Sequence, residues 1–204
     1  FVSQAWTYVF KEVVAALRAL VEELPPGSPA GFFWFDTFCI DEHATQSLPQ
    51  EWWGTTFKEA IRLIGSTAMV LSPWDDPVPL KRSWCLWEVF CTVDVGAEFS
   101  VCLGPADAAA LEAALLSDPG ALLDAFASID VTQAEAGHPE DQWRIMGAVE
   151  ALPGGAPELD GLAMRELTKW ALGLVRRMVA ARRDPETAAL LQQEQLLEDV
   201  CQLA

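Results

Sequence analysis

The distribution of apolar residues along the chain predicts strands that alternate with helices. Residues 66–71 (STAMVL) form a short apolar run that a Ser-Pro pair ends, and residues 98–103 (EFSVCL) form another that a Gly-Pro pair ends. Runs of this length with such terminators are typical of buried strands, although periodicity alone does not separate a short strand from a helix. Residues 1–3 are predicted to be the end of a further strand.

Amphipathic helices are predicted between these strands. Apolar residues recur at spacings of three and four across residues 6–24, where two prolines end the pattern, and again across residues 53–64, which Gly65 follows. A glycine directly after a helix is a common C-terminal cap. Neither Gly nor Pro interrupts residues 80–95, so a third helix is predicted there.

Two further segments have the composition of strands. They are the aromatic run at residues 31–36 (GFFWFD) and residues 127–131 (ASIDV). Strands and helices in alternation imply a parallel sheet with right-handed crossovers. The sequence therefore predicts an α/β fold with a parallel sheet of about five strands and helices on both faces.

The C-terminal part of the chain is predicted to add further helices. It is rich in Ala and Leu, and helical patterns cover residues 139–152 and 159–183. A last helix is predicted after the Asp-Pro pair that follows. We expect one α/β domain at residues 1–183, with a first strand that begins upstream, and a C-terminal helix or connector at residues 184–204.

The predicted helix at residues 80–95 carries one isolated charge. Glu88 is the only acidic or basic side chain between Trp84 and Val93, and the helix is apolar on nearly every side. Burial raises the pKa of a carboxylate unless a donor is near. Two interpretations remain open. Glu88 reaches the surface or bonds a backbone group, or it faces a cleft at the carboxyl end of a strand, where open α/β sheets place ligands.

A short motif around Glu88 resembles a known family. Residues 83–88 read Ser-Trp-Cys-Leu-Trp-Glu and follow an apolar strand that ends in Ser72. This arrangement resembles the third strand and the following helix of Toll/interleukin-1 receptor (TIR) domains, especially those of plants. In enzymatic members of that family a Glu at this place catalyses NAD cleavage. The resemblance implies a flavodoxin-like fold, Glu88 as the catalytic carboxylate, and NAD as a substrate rather than a cofactor.

The same resemblance implies where the substrate would bind. A Trp four residues before the catalytic Glu often lines the pocket in this family, and nucleotide contacts follow the first strand. Lys81 and Arg82, near the start of the helix, are placed to reach a phosphate. The expected substrate-binding residues are Ser3, Gln4, Trp6, Asp36, Ser72 and Trp84.

A second resemblance covers nearly the whole chain. The segments FFWFD, WWGTTFKEAI and LSPWDDP are similar to algal and protist proteins in which a TIR-like module precedes helical repeats of the kinesin-light-chain, or tetratricopeptide, type. This resemblance implies that such repeats follow downstream, although residues 1–204 contain none. The loop at residues 37–50 lacks the Arg-Gly pair of the plant pattern, which leaves its role open.

Two functions from different classes therefore remain. The first is a TIR-like signalling module that associates with itself or with a protein partner, in which Glu88 and the tryptophans are structural. The alternative is an NAD nucleosidase that releases nicotinamide and uses Glu88 as its catalytic carboxylate. Core packing explains the abundance of aromatic residues in either case, because nine tryptophans exceed what one pocket uses.

Composition excludes several other classes of function. Thirteen basic against thirty acidic residues give a net charge of −17, which opposes binding to a nucleic-acid backbone. Neither a membrane span nor a signal peptide is expected from the apolar runs.

Five cysteines without a Cys-x-x-Cys pair indicate reduced thiols and a cytoplasmic location. A metal site is not expected, since Asp41, Glu42 and His43 in direct succession point in divergent directions.

Overall fold

The computed structural model of the chain describes residues 1–24, 31–39, 50–118, 120–182 and 187–203. Within these ranges the chain forms three strands, nine α-helices and a short 3-10 helix at Val78–Lys81. The strands are β1 (Val2–Ser3), β2 (Ser66–Leu71) and β3 (Glu98–Leu103). The helices are α1 (Phe10–Glu22), α2 (Asp36–Cys39), α3 (Gln50–Ile64), α4 (Ser83–Asp94), α5 (Pro105–Ser117), α6 (Ala121–Phe126), α7 (Pro139–Glu150), α8 (Gly155–Ala181) and α9 (Thr187–Leu203).

The three strands form one parallel sheet in the order β1-β2-β3. Val2 lies opposite Ala68, and Met69 lies opposite Val101. The predicted bounds of β2 and β3 are confirmed to the residue, because a proline or glycine follows each apolar run closely. Gly65 has a φ of 79°, so it caps α3 in the left-handed conformation as predicted.

Helices cover both faces of this sheet. Alternate residues on the strands point to opposite faces. One face packs against Val13, Ala16 and Leu17 of α1. The other face belongs to a larger core that contains residues of α3, α4 and α8. Burial on both faces explains why β2 reads as a continuous apolar run rather than an alternating one. The α/β class with a parallel sheet is confirmed.

The sheet has three strands in the described part of the chain rather than about five. Residues 31–35 form no strand and lead into α2. One backbone hydrogen bond joins them to β1, from Val2 N to Trp34 O at 3.0 Å. Trp34 stacks on Phe1, with ring centroids 4.8 Å apart. The aromatic side chains that suggested a strand therefore pack beside β1, which is too short to support a long ladder.

The predicted strand at residues 127–131 is a turn instead. Asp130 Oδ1 accepts hydrogen bonds from Thr132 N at 2.9 Å and from Thr132 Oγ1 at 2.6 Å. An aspartate that bonds the backbone two residues ahead bends the chain and competes with strand pairing. The nearest approach to sheet structure in this region is an isolated bridge between Arg82 and Glu135.

Two helix boundaries also differ from the prediction. The segment expected to begin one helix at Leu80 is divided, since Arg82 is extended (φ −112°, ψ 118°) between the 3-10 helix and α4. The long helix α8 begins at Gly155 rather than at Leu159. Pro157 lies in its first turn, where a missing N–H costs nothing. The prediction treated the local Pro and Gly residues as a break, whereas they form a helix start.

Candidate functional site

The candidate site lies where β1 ends and α4 begins. Ser3 is the last residue of β1, and Glu88 lies in the second turn of α4. Every residue of α4 from Cys85 to Thr92 is buried. The helix packs against β2, β3, α3 and α8, so it is covered from several sides. The prediction of a helix that is buried nearly all round is therefore confirmed, and Glu88 is enclosed with it.

Glu88 is a buried carboxylate without a full set of partners. The residue is 7% exposed, and its Oε2 atom has no hydrogen-bond partner. Burial raises the pKa of Glu88 from 4.5 to about 8. At neutral pH the folded protein therefore holds this side chain mainly in its protonated form. One interpretation from the sequence was that Glu88 bonds a backbone group. For its Oε2 atom this is wrong, because that atom is buried without a partner.

Ser3 is the polar side chain that accompanies Glu88. It is 0% exposed, and its Oγ atom also lacks a hydrogen-bond partner. The Ser3 hydroxyl lies near enough to lower the pKa of Glu88, which partly opposes the effect of burial. Neither atom completes a bond of good geometry with the other. Two buried polar groups thus lie side by side with unused hydrogen-bonding capacity, which is uncommon in a folded protein.

Charged residues around Glu88 act on it in opposite directions. Asp36 raises the pKa of the Glu88 carboxyl, whereas Arg82 lowers it. Arg82 is half-buried at the start of α4 and forms no ion pair with any residue that the structure describes. Burial also raises the pKa of the neighbouring Cys85 thiol, and Glu88 adds to this effect. Cys85 is therefore a neutral thiol and not an activated nucleophile.

Trp6 and Asp36 form one edge of the site. Trp6 Nε1 donates a hydrogen bond to Asp36 Oδ2 at 2.6 Å. The other oxygen of Asp36 accepts from Thr37 N at 2.7 Å at the start of α2. Trp6 is 54% exposed, so its ring is accessible from solvent. The structure brings these two predicted residues together, and the charge of Asp36 raises the pKa of Glu88.

The other predicted contacts have structural partners. Trp84 is half-buried and its ring lies 5.4 Å from that of Phe57, tilted by 37°. Gln4 contributes its backbone carbonyl oxygen, which accepts from Cys85 Sγ at 3.5 Å. Ser72 N donates to Tyr8 Oη at 2.9 Å, and Tyr8 Oη donates to Ser72 O. Both polar groups of the Ser72 backbone are therefore engaged by Tyr8.

Tyr8 was not predicted to contribute to this region. It is the only tyrosine in the chain. Its hydroxyl joins the loop after β1 to the end of β2, and burial raises its pKa. A single tyrosine in the loop after a first strand was a weak signal, because sequence spacing does not reveal that Ser72 lies beside it.

The predictions about a metal site and a membrane span are compared with the structure within the described residues. Among the described residues, no cluster of three His, Cys, Asp or Glu side chains is arranged to hold a metal ion. Asp41, Glu42 and His43 lie outside the described residues. Among the helices in the described ranges, none has both the length and the apolar character needed to cross a membrane.

This arrangement suits a ligand with hydroxyl groups. Glu88 and Ser3 offer donors and acceptors to hydroxyl groups, and a nearby cation would favour the ionised carboxylate. Arg82 adds a cation at the start of α4 that suits an anionic group. Comparison of the chain with family models, with curated proteins and with solved structures found no match.

Proposed function

We propose that the protein is a TIR-like domain whose Glu88 site binds NAD and cleaves the bond between nicotinamide and ribose. The single observation that carries this proposal is the pair of buried, unpartnered groups, Glu88 Oε2 and Ser3 Oγ. Leaving such groups without a partner costs on the order of 1–3 kcal/mol each. A ligand whose hydroxyl groups bond both atoms would recover that energy.

The fold supports the proposal at a coarser level. A parallel sheet with helices on both faces is the frame in which a flavodoxin-like, TIR-like domain would hold this site. Trp34 O bonds β1 on the side away from β2, which is where a second strand would lie in such a fold. Glu88 follows β2 on α4, and this order of strand and helix is the one expected from the resemblance to the family motif.

The proposed chemistry uses the charge of the substrate. Breaking the bond between nicotinamide and ribose transfers its electron pair to the ring nitrogen, which becomes neutral, and leaves an oxocarbenium-like ribose. An ionised Glu88 beside that carbon would stabilise the positive charge, as a carboxylate does in glycoside hydrolysis. Water then adds to the ribose and releases a proton. The substrate cation itself favours ionisation of Glu88 and so opposes the effect of burial.

The remaining groups would hold the rest of the dinucleotide. Arg82 would pair with the pyrophosphate, because it has no carboxylate partner among the described residues. Trp6 would present its exposed ring to a base or to the nicotinamide. The strongly negative net charge of the chain opposes binding of an anionic dinucleotide. These local contacts would offset that repulsion.

The test is release of nicotinamide from NAD by the purified chain at high concentration, measured by chromatography. We expect Glu88→Gln to lower the rate by about 100-fold or more, the usual loss when one charge-stabilising group is removed. Glu98→Gln is the matched control, since Glu98 is exposed on β3 and faces solvent. Equal turnover by wild type and Glu88→Gln would rule out this role.

Self-association is the second candidate function. Trp6, Phe10 and Phe38 are each more than half exposed, and the rings of Phe10 and Phe38 are 5.6 Å apart. An exposed aromatic cluster of this kind is typical of protein interfaces. The cluster lies on α1, on α2 and on the loop before α1, beside the Glu88 site. This surface would be the association surface of a TIR-like signalling module.

Light scattering over a range of protein concentrations tests this candidate. We expect Phe10→Ser with Phe38→Ser to abolish association and Glu88→Gln to leave it unchanged. Salt should strengthen association, because two copies with a charge of −17 repel each other. Trp143→Ser is the control, since Trp143 is 69% exposed on α7. A monomer at every concentration would contradict this candidate.

A further inference from the structure

A groove lies beside β3, at the edge of the sheet opposite to β1. Its volume is about 660 Å³. Sites for small molecules are typically about 300–1,000 Å³. None of the residues assigned to the Glu88 site lines it. The groove is therefore a second concave surface that the proposed NAD chemistry does not use.

Three helices and one strand end form the groove. The C-terminal end of α1, one face of α5 and the last part of α8 are its walls, and the C-terminal end of β3 is its floor. Ala19, Ala108 and Ala181 leave space where larger side chains would close it. The apolar side chains that line it include Leu20, Leu103, Leu111, Trp170, Leu174 and Met178.

Two arginines lie at the rim of the groove, Arg177 on α8 and Arg182 directly after it. Arg182 is bonded to Glu112 of α5. Arg177 forms a long ion pair with Glu23, directly after α1, at 4.0 Å, which is beyond hydrogen-bond distance. Within the described residues the Arg177 guanidinium donates no hydrogen bond. Arg177 is therefore the cation at this groove whose donors remain available.

We propose that the groove binds an apolar monocarboxylate of medium chain length, for which decanoate is the probe. The chain would lie on the leucines and beside Trp170, and the carboxylate would pair with Arg177. A guanidinium binds a carboxylate through two parallel hydrogen bonds, which gives this head group an advantage over an alcohol. Glu23 must then turn away, which its 69% exposed side chain permits.

Calorimetric titration of the purified chain with decanoate tests the proposal. We expect saturable binding of one molecule, below the concentration at which decanoate forms micelles. Arg177→Gln should weaken it at least ten-fold, and Arg177→Lys should restore part of the loss. Arg18→Gln is the matched control, since it removes one exposed positive charge from α1 outside the groove and should change affinity less than two-fold.

A second pair of variants tests the location. Ala108→Phe should fill the groove and abolish binding, whereas Ala110→Phe adds the same ring to an exposed position of α5 outside it. Circular dichroism confirms that each variant folds. Binding that survives both Arg177→Gln and Ala108→Phe would overturn the proposal, as would the absence of saturable binding.

The head group is tested with two further probes of the same chain length. Decanol, which is neutral, should bind at least ten-fold more weakly than decanoate. Decyltrimethylammonium should also bind more weakly, although Glu22 and Glu23 lie at the same rim. Tighter binding of the ammonium would overturn the carboxylate assignment, since it would show that these acidic groups select a cation.

Discussion

The hydroxyl groups of Thr67 and Thr92 lie 2.8 Å apart in the core and join β2 to α4. Thr92 Oγ1 also lies 2.7 Å from Glu88 O. Because a carbonyl oxygen only accepts, the Thr92 hydroxyl donates its hydrogen bond to Glu88 O. Thr92 Oγ1 therefore accepts a hydrogen bond from the Thr67 hydroxyl. Both threonines are 0% exposed. This buried chain of hydrogen bonds fixes the turn of α4 that carries Glu88 against the strand beneath it.

Thr92→Val should lower the free energy of unfolding by about 1–2 kcal/mol. The substitution keeps the shape of the side chain but leaves the Thr67 hydroxyl without its partner in the core. Urea denaturation measures the change. Thr67→Val combined with Thr92→Val should cost less than the sum of the single changes, because both remove one interaction. Strict additivity would contradict the coupling.

Glu88 should make the protein less stable as pH rises from about 4.5 to about 8. The pKa of Glu88 is about 8 in the folded protein and 4.5 as an ordinary carboxyl group, so the folded state binds more protons within this window. The loss of stability is absent below pH 4.5 and complete above pH 8. Thermal or urea denaturation at several pH values measures it.

Glu88→Gln removes that contribution, so the variant should be more stable than wild type at pH 8.5, by a few kcal/mol at most. At pH 4 the two proteins should differ much less. Glu98→Gln is again the control, because Glu98 is exposed. Parallel stability curves for wild type and Glu88→Gln would show that this carboxylate does not titrate abnormally.

Ser3→Ala should raise the pKa of Glu88. The Ser3 hydroxyl lowers this pKa in the folded protein, so its removal leaves the effect of burial less opposed. The pH window of the stability loss should therefore extend to higher pH than in wild type. Overall stability at pH 5 should change little, because Ser3 Oγ has no hydrogen bond to lose. A downward shift of the window would contradict the placement of Ser3.

The value of kcat/KM for NAD should rise with pH, reach half of its limiting value near pH 8 and level off above that. This ratio reports the pKa of the essential group in the free enzyme, which is about 8 for Glu88. The prediction rests on the proposed cleavage of NAD by the ionised carboxylate. Initial rates of nicotinamide release at low NAD concentration measure it. A rate that falls between pH 6 and pH 8 would show that the protonated acid is the active form.

Gln193→Met should stabilise the protein by about 1–3 kcal/mol. Gln193 is 0% exposed on α9, between the buried Leu190 and Leu197, and neither of its side-chain polar atoms has a partner. Methionine has a similar shape without the amide. Gln192→Met at an exposed position of the same helix is the control for helix propensity. A loss of stability on urea denaturation would show that the amide of Gln193 is satisfied in solution.

The features that the structure confirms depend on residues that are close together in the chain. The bounds of β2 and β3 follow from apolar runs with Pro or Gly close behind, and backbone sterics act within a few residues. The cap at Gly65 is also a local feature, since only a residue without Cβ takes a positive φ without strain. The expected strands at residues 31–36 and 127–131 had the right composition. The first lies beside β1, which is too short for a long ladder, and the second bends at Asp130.

Parts of the candidate site were also within reach of the sequence. One acidic side chain in an apolar helix indicated a desolvated carboxylate, and the raised pKa of Glu88 agrees with that reasoning. The sequence did not reveal that Ser3 would lie beside Glu88, because that contact depends on how α4 packs on the sheet. It did not reveal that Tyr8 would hold Ser72 either, because the parallel pairing of β1 and β2 brings their ends together.

The sequence by itself determined the α/β alternation, the ends of the two long strands and the isolation of Glu88 in an apolar helix, because each depends on neighbours along the chain. Only the tertiary structure decided the number of strands, the unused hydrogen-bonding capacity of Ser3 and Glu88, and the groove beside β3. These features depend on which distant surfaces meet, and a one-dimensional pattern of polarity does not specify that contact.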